Sequence, residues 1–287
     1  TSVLGRFDLN LHFIIRDPRF TENYFGLGNE TEKTTDDKDY NRVRIGQLHL
    51  HPEISRTFKN STFAAGVFFQ QFDVENTEGR YISDIPANGL NPEIFERQRF
   101  AGVNIRYELD SRDNEVLPTR GVYWNTNTIF NYSLSESART HNQLVSDFRY
   151  FLSFRKPHRA VFAFRLGGAI NAGNYQFYQA ASIGGNSNLR GHRATRYSGD
   201  ASVYQNTELR YKLFNFSTYF AKGEFGIIGF NDFARVWLGG EDSRVWHHGY
   251  GGDLWMSPFS LAVLSTTFEW SKDESTALFS FRFRFLF

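Results

Sequence analysis

The sequence predicts an all-β protein, a transmembrane antiparallel β-barrel with about twelve strands in this chain. One observation behind this prediction is that apolar and polar residues alternate with a period of two in segment after segment, a period that helices cannot use. The other is that 17% of the 287 residues are aromatic although the mean hydropathy is -0.46. Aromatic and polar surfaces must therefore lie on opposite faces of the same strands.

The predicted strands follow one another along the whole chain. The last strand shows the alternation most clearly, because all its aromatic residues share one face: Phe279, Phe281, Phe283, Phe285 and Phe287. The strand near 39–51 changes phase around Gly46, which predicts a bulge or a shifted boundary. We expect strands near residues 4–15, 39–51, 61–75, 97–110, 119–132, 141–155, 159–171, 200–213, 222–238, 246–257, 259–270 and 275–287.

The length and charge of these segments favour a membrane barrel over a soluble sandwich. The segments are about 10–15 residues long, enough to cross a bilayer when tilted, whereas strands of soluble proteins average about 5–6 residues. One face is rich in Arg, Glu and Asp, which a wet lumen tolerates and a protein core does not. No stretch approaches the roughly 18 uninterrupted apolar residues of a spanning helix, so a helical membrane protein is excluded.

The connections between the predicted strands are alternately long and short. Long ones are expected near 16–38, 76–96, 133–140, 172–199 and 239–245, and shorter ones near 52–60, 111–118, 156–158 and 214–221. Outer-membrane barrels have long external loops and short periplasmic turns, so the alternation predicts that Phe287 lies on the periplasmic side. No shift in composition marks a second domain, and residues 1–287 are expected to form one barrel domain.

The composition excludes several classes of function. Lys and Arg total 32 against 31 Asp and Glu, and a net charge of +1 gives no reason to expect nucleic acid as a partner. The chain has no Cys, which excludes disulfides, thiolate nucleophiles and metal sites built on thiolates. No hydrolase elbow or zinc-protease motif is present. The sequence therefore predicts no enzyme activity and no cofactor.

Metal binding is not favoured either. His49 with His51, and His247 with His248, are pairs that could ligate a metal, but no acidic cluster accompanies them at a suitable spacing. The aspartates within residues 36–39 lack the spacing of a calcium loop. The sequence predicts no metal site.

Two connections stand out by their residues. Residues 184–191, rich in Gly and Asn, contain Arg190 and precede a strand that carries Glu208 and Arg210. This segment is either an ordinary external loop or a loop folded into the lumen and held by charge-assisted hydrogen bonds. Residues 110–121 combine Asp and Asn with Pro and Gly, a set that predicts a rigid turn.

The order of three motifs resembles one family. Leu-Arg-Gly-His at 189–192, followed by Asn-Thr-Glu-Leu-Arg at 206–210, resembles the sixth-loop signature and next strand of the bacterial surface antigen family. Its members are the barrels of BamA- and TamA-type outer-membrane assembly factors, in the outer membrane protein 85 superfamily. Residues 113–121 resemble that family's periplasmic turn, and residues 229–237 its Phe-x-Asp-x-Gly strand. Residues 25–31 resemble a segment of members whose barrel follows a metallophosphoesterase or patatin-like domain.

The resemblance implies roles for particular residues. Arg190 would stand at the tip of a lumen loop and pair with Glu208 and Asp232. Two positions depart from the family: His192 replaces Phe or Tyr, which would weaken the aromatic part of the docking, and Ala234 replaces Gly. The implied site residues are, in the lumen loop clamp, Gly185, Leu189, Arg190, Gly191, Glu208 and Asp232; in the periplasmic turn, Arg112, Asp113, Pro118 and Gly121; and, as a C-terminal assembly signal, Phe283, Phe285 and Phe287.

The resemblance also implies a function. It predicts a barrel of the bacterial outer membrane, in contact with the lipid bilayer, lipopolysaccharide and other outer-membrane or periplasmic proteins, that helps to insert or translocate proteins. Barrels of this family have roughly sixteen strands, so the chain is expected to be the C-terminal portion of a larger barrel, without the upstream strands and any periplasmic domain. The alternatives are a passive membrane anchor for an N-terminal hydrolase, metallophosphoesterase or patatin-like, and a simple pore.

Overall fold

The computed structural model describes residues 6–35, 37, 39–84, 90–154, 159–274 and 277–287, and these are almost entirely β-structure. Short 3₁₀ turns occur at Tyr81–Ser83, Pro92–Phe95 and Phe177–Gln179. No helix in these ranges is long and apolar enough to cross a membrane. The strands are β1 (Asp8–Asn23), β2 (Arg42–Phe58), β3 (Ser61–Val74), β4 (Gln98–Asp110), β5 (Gly121–Ser133), β6 (His141–Phe154), β7 (Ala160–Gly173), β8 (Ala181–Ile183), β9 (Tyr197–Gly199), β10 (Ala201–Ser217), β11 (Lys222–Trp237), β12 (His247–Pro258), β13 (Leu264–Ser271) and β14 (Leu278–Arg282).

One 12-stranded antiparallel sheet contains all the long strands, in the order in which they follow along the chain. The short strands β8 and β9 form a separate hairpin, so β7 pairs directly with β10. The strand number therefore agrees with the prediction. The predicted turn at 156–158 and Asp36 lie outside the described residues.

The two faces of the sheet differ as the alternation predicts. The outward face carries exposed apolar side chains such as Phe63, Ile105 and Leu209, which are 55%, 53% and 54% exposed. On the other face charged side chains pair with one another, as in the ion pair of 2.7 Å between Arg106 and the buried Glu53. An apolar outer surface over a paired polar interior is the arrangement of a membrane barrel and not of a sandwich. The predicted fold class is confirmed.

The change of phase near Gly46 has a different cause from the one predicted. β2 pairs with β3 in one register on both sides of Gly46, and the register shift lies in β1, between Arg16 and Phe20. Val43 and Ile45 are buried because they point inward into an apolar cluster. This cluster lies at the end of the sheet that carries the long connections, which we call the loop end. The other buried members of that cluster are Tyr24, Val74, Ile82, Ile94 and Phe177. A register irregularity does lie opposite Gly46, but its extra residues belong to β1, and the apolar pattern of β2 changes where its inner face passes from this cluster to the polar lumen.

The first two strands are longer than predicted. β1 continues to Asn23 and β2 to Phe58, so most of the connection expected at 52–60 is strand. Pro52 has no N–H to donate, which argues against a central strand. The ladder from β2 to β3 skips His51 and Pro52, whereas the ladder to β1 continues through both. The missing donor therefore costs no hydrogen bond on the β3 side.

The last strand is shorter than predicted. We expected a strand over 275–287, but β14 ends at Arg282, and the chain then turns inward. Phe283 stays 73% exposed, whereas Phe285 and Phe287 are 7% and 5% exposed. A physical reason lies in Arg210, whose guanidinium donates to the backbone oxygen of Phe287 at 2.6 Å and lies 4.1 Å over the ring of Phe285. The prediction that all five aromatic residues share one face is wrong for these two, because the other three stay on the outward side.

Candidate functional site

The segment between β8 and β9 lies against the inner face of the sheet. Leu189 is fully buried in an apolar cluster with Ile183 and Tyr197 of the hairpin and Tyr204 of β10. Gly185 bridges back to Leu189 and closes the loop on itself. The side-chain amide of Asn206, also on β10, donates to the Asn188 carbonyl at 2.8 Å. Of the two alternatives left by the sequence, the structure has the loop folded into the lumen.

Arg190 occupies the centre of this loop and is fully buried between two acids on neighbouring strands. Its Nη1 donates to Glu208 Oε1 of β10 at 2.6 Å. Its Nε and Nη2 donate to the two carboxylate oxygens of Asp232 on β11, both at 2.7 Å. Glu208 and Asp232 are themselves 0% exposed. A bidentate pair plus a second acid fixes both the position and the plane of the guanidinium. We call Arg190, Glu208 and Asp232 the loop clamp.

The loop clamp continues into the C-terminal tail. Arg210 Nε donates to the second oxygen of Glu208 at 2.8 Å, and its Nη2 donates to Phe287 as described above. Phe230 of β11 lies under the guanidinium of Arg190 at 3.7 Å. One continuous polar network therefore joins β11, the lumen loop, β10 and the tail.

Sequence reasoning missed a second set of contacts, with the last three strands. The Gly191 N–H donates to Glu269 of β13 at 2.9 Å, and the other oxygen of Glu269 accepts from Ser280 of β14 at 2.7 Å. Gly249 of β12 leaves room for the loop, because a Cβ at this position would lie 1.8 Å from the Arg190 carbonyl oxygen. The alternation along β12–β14 predicts that Gly249, Glu269 and Ser280 face the lumen. It does not predict that they contact the lumen loop.

The two departures from the family pattern are both accommodated. His192 is buried, and its ring meets Tyr197 edge-on at 6.1 Å, so an aromatic contact at this position is retained. Ala234 is 0% exposed and lies in the same apolar cluster as Leu189. Neither residue interrupts the contacts of the loop clamp.

The predicted periplasmic turn, between β4 and β5, is organised by Asp113. Its Oδ1 accepts from the backbone N–H groups of Thr119 at 2.8 Å and Arg120 at 3.0 Å, and its Oδ2 accepts from the Thr119 hydroxyl. Arg112 instead pairs with Asp110, its Nε lying 2.9 Å from Oδ1. Pro118 lies inside the loop that Asp113 closes, and Gly121 opens β5. The four residues of the predicted turn motif thus belong to one turn, but Arg112 and Asp113 do not pair with each other.

We predict a pH-dependent role for the Asp113 carboxylate in stability. Burial acts to raise its pKa, but the hydrogen bonds from Thr119 and Arg120 outweigh this and lower the pKa below the ordinary 3.8. A lowered pKa stabilises the folded state above pH 3.8 and loses this contribution as the pH falls through the folded value. Asp113→Asn is therefore expected to lower the urea midpoint at pH 7, and the difference from wild type is expected to shrink as the pH falls below 3.8. Asp242→Asn, in the exposed β11–β12 loop, serves as the control, and a constant difference at all pH values would refute the role.

Comparison with known proteins agrees with this architecture. The Omp85 superfamily domain matches residues 3–286. The crystal structure of BamA from Haemophilus ducreyi lacking POTRA domains 1-3 has a similar fold, with a TM-score of 0.64 and 16% sequence identity, covering 88% of this chain and 57% of that one. The chain thus spans little more than half the length of that protein. No curated protein matches the sequence. Because the family match extends over nearly the whole chain, the chain belongs to the Omp85 superfamily and is a β-barrel of the bacterial outer membrane.

Proposed function

We propose that this barrel assists the insertion or translocation of other proteins at the outer membrane. The observation that carries the proposal is the difference between the two sides of the lumen loop. The loop clamp holds β10 and β11 together through buried ion pairs, whereas β14 ends the sheet with only five residues and one partner among the described strands. A sheet whose last strand is short and has one pairing partner among the described strands is suited to opening at that edge.

The edge of β14 offers the chemistry that a client strand needs. A strand paired on one side presents a row of backbone N–H and C=O groups, and an extended segment of another chain can add to it by main-chain hydrogen bonds. β14 pairs with β13 only from Leu278 to Arg282. Beyond Arg282 the C-terminal tail turns inward and is held by Arg210. The edge that is free to pair with a client is therefore confined to residues 278–282. Lipid and lipopolysaccharide would contact the outward aromatic face, and the client would be another outer-membrane protein.

Cysteine crosslinking tests this proposal directly, since the chain has no Cys of its own. Phe281 of β14 and Phe130 of β5 are both lipid-facing, 54% and 46% exposed, but β5 is paired on both sides. We expect Phe281→Cys, in vesicles, to form a disulfide with a folding outer-membrane barrel client that carries one cysteine in its last strand. Phe130→Cys is the matched control and is expected to form none above background.

The same vesicles give a second measure of function. Vesicles that contain the chain are expected to take up the client faster than empty vesicles of the same lipids. If Phe281→Cys and Phe130→Cys crosslink equally and the insertion rate does not change, the proposal fails, and the anchor or the pore becomes the better explanation. Ion conductance across the same vesicles separates these two, because only a pore conducts.

A further inference from the structure

Three side chains converge at the loop end of the barrel, outside the loop clamp. His192 belongs to the lumen loop, His247 begins β12, and Asp273 lies in the loop between β13 and β14. His247 Nδ1 lies 2.7 Å and His192 Nε2 3.0 Å from the same oxygen, Oδ2 of Asp273. One ligand atom from each residue lies within 4.8 Å of the others.

The surroundings of His247 require a positive charge at this point. Its Nε2 lies 2.8 Å from the backbone carbonyl oxygen of Asn29, and a carbonyl can only accept, so Nε2 carries the proton. In the neutral ring Nδ1 then has a lone pair, and this lone pair points at a carboxylate oxygen that also only accepts. Two acceptors 2.7 Å apart repel unless a proton lies between them or a metal ion lies beside them.

His192 repeats the pattern. Its Nδ1 lies 3.3 Å from the carbonyl oxygen of Arg190, which leaves Nε2 as the acceptor facing Asp273. The Ser271 hydroxyl lies 2.9 Å from the same Nε2 and is able to donate to it. No equivalent hydroxyl contacts His247 Nδ1 among the described residues. Two imidazole nitrogens therefore lie beside one carboxylate oxygen, Oδ2 of Asp273, and all three atoms lie within 4.8 Å of one another.

We propose that His192, His247 and Asp273 form a binding site for a divalent transition metal, with zinc as the best match. Zn²⁺ is bound by imidazole nitrogen and carboxylate oxygen, and three protein ligands leave one position for water. Asp273 is 32% exposed while both imidazoles are buried, so solvent reaches this group of side chains from the side of the carboxylate. Metal-bound histidines usually donate their other N–H to a carbonyl or carboxylate, and here both face backbone carbonyls.

The rings are also held in place. Tyr197 stacks on His247 with centroids 3.7 Å apart and an angle of 14° between the planes. Because this packing fixes the ring, little side-chain freedom remains to be lost on binding. The bound metal joins the lumen loop, two residues beyond Arg190, to β12 and to the loop before β14. The site does not depend on the proposed insertion of client proteins, and its test leaves that proposal untouched.

The sequence pointed away from this site for a simple reason. It paired His247 with its neighbour His248, but adjacent residues of a strand face opposite sides of a sheet. His248 stacks on Phe233 on the outward face, with centroids 4.5 Å apart. The ligands that His247 meets lie far from it in the chain.

The test uses the full chain without a polyhistidine tag, folded in detergent and freed of metal with a chelator. We expect Zn²⁺ to bind at one equivalent, and Co²⁺ at the same site to give the visible absorption of a four-coordinate ion. His192→Ala, His247→Ala and Asp273→Asn are each expected to weaken Zn²⁺ binding by about 100-fold or more, judged by the 10–100-fold effect of losing even outer-sphere contacts. His248→Ala, one residue away on the outward face, is expected to bind as wild type does.

Two results would overturn the proposal. If wild type binds no Zn²⁺ above background, the cation at this point is a proton on the imidazoles. If Zn²⁺ binds but all four variants bind it equally, the metal lies elsewhere. Heat-modifiable mobility on a gel identifies any variant that has not folded. If the alanine variants do not fold, two measurements still test the proposal: Zn²⁺ binding by Asp273→Asn, which keeps the shape of the side chain, and the Co²⁺ spectrum of wild type.

Discussion

Arg190→Glu is expected to lower the free energy of unfolding by at least about 3–5 kcal/mol, the usual cost of leaving a buried charge without its partner. The change removes five N–H donors and brings a third carboxylate against Glu208 and Asp232, all of them inaccessible to solvent. The lumen loop then keeps its hydrogen bonds at Asn188 and Gly191 but loses the ion pairs that hold its centre. Urea unfolding in lipid vesicles, with heat-modifiable mobility as the sign of the folded barrel, measures the loss.

A double-mutant cycle separates the ion pair from general damage. Asp232→Arg alone places two guanidinium groups together and is expected to be as harmful as Arg190→Glu. The double variant restores the bidentate pair with its charges exchanged, and we expect a coupling energy of at least about 2 kcal/mol. Rescue stays incomplete because Glu208 then faces a carboxylate at position 190, although Arg210 still neutralises it.

The control for this cycle is a charge reversal outside the clamp. Arg139 lies in the loop between β5 and β6, is 52% exposed, and forms a loose pair of 3.9 Å with Glu93. Arg139→Glu is expected to change stability by no more than about 0.5 kcal/mol. A double variant that is no more stable than either single variant would show that the clamp does not hold the loop.

Gly249→Ala is expected to displace the lumen loop although it changes no charge. The new Cβ would lie 1.8 Å from the carbonyl oxygen of Arg190, and side-chain movement could not relieve this contact because the nearest atoms all belong to the Arg190 backbone. Overpacking of this kind costs about 1–3 kcal/mol, and here the loop must move as a whole. We expect a lower urea midpoint and faster proteolysis within residues 184–193.

Gly229 provides the matched control for this prediction. It lies on the neighbouring strand β11, and a Cβ there would have nothing within 4 Å. Gly229→Ala is expected to change stability by no more than about 0.5 kcal/mol and to leave proteolysis unchanged. Equal effects of the two substitutions would mean that strand flexibility, and not the approach of the loop, explains the glycine at 249.

The sequence was informative where a property depends on near neighbours in the chain. Alternation along β10 assigned Leu209 and Tyr211 to the outer face and Glu208 and Arg210 to the inner one, as the structure has them. It failed at Val43 and Ile45, where apolar residues face inward because external loops cover that end of the lumen. A period of two shows which face of the sheet a residue lies on. It does not show whether that face is covered by lipid, by water or by a loop.

The resemblance pointed to Arg190, Glu208 and Asp232 but not to the rest of the network. Glu269 carries no motif of its own, and it matters only because the loop passes β13 at the position of Gly191. Phe285 and Phe287 continue the alternation of β14 and nevertheless turn inward, since Arg210 offers them a partner from another strand.

The sequence by itself determined the number of long strands, their antiparallel class and the face that meets lipid, because each of these follows from alternation and turn residues within short stretches of chain. Only the tertiary structure decided which inward residues meet across the lumen, such as Arg190 with Asp232 or His192 with Asp273. Those pairs are fixed by the register of the strands, the curvature of the sheet and the path of a loop that crosses it. The paired residues lie about 40 to 80 positions apart, and no local sequence pattern predicts such contacts.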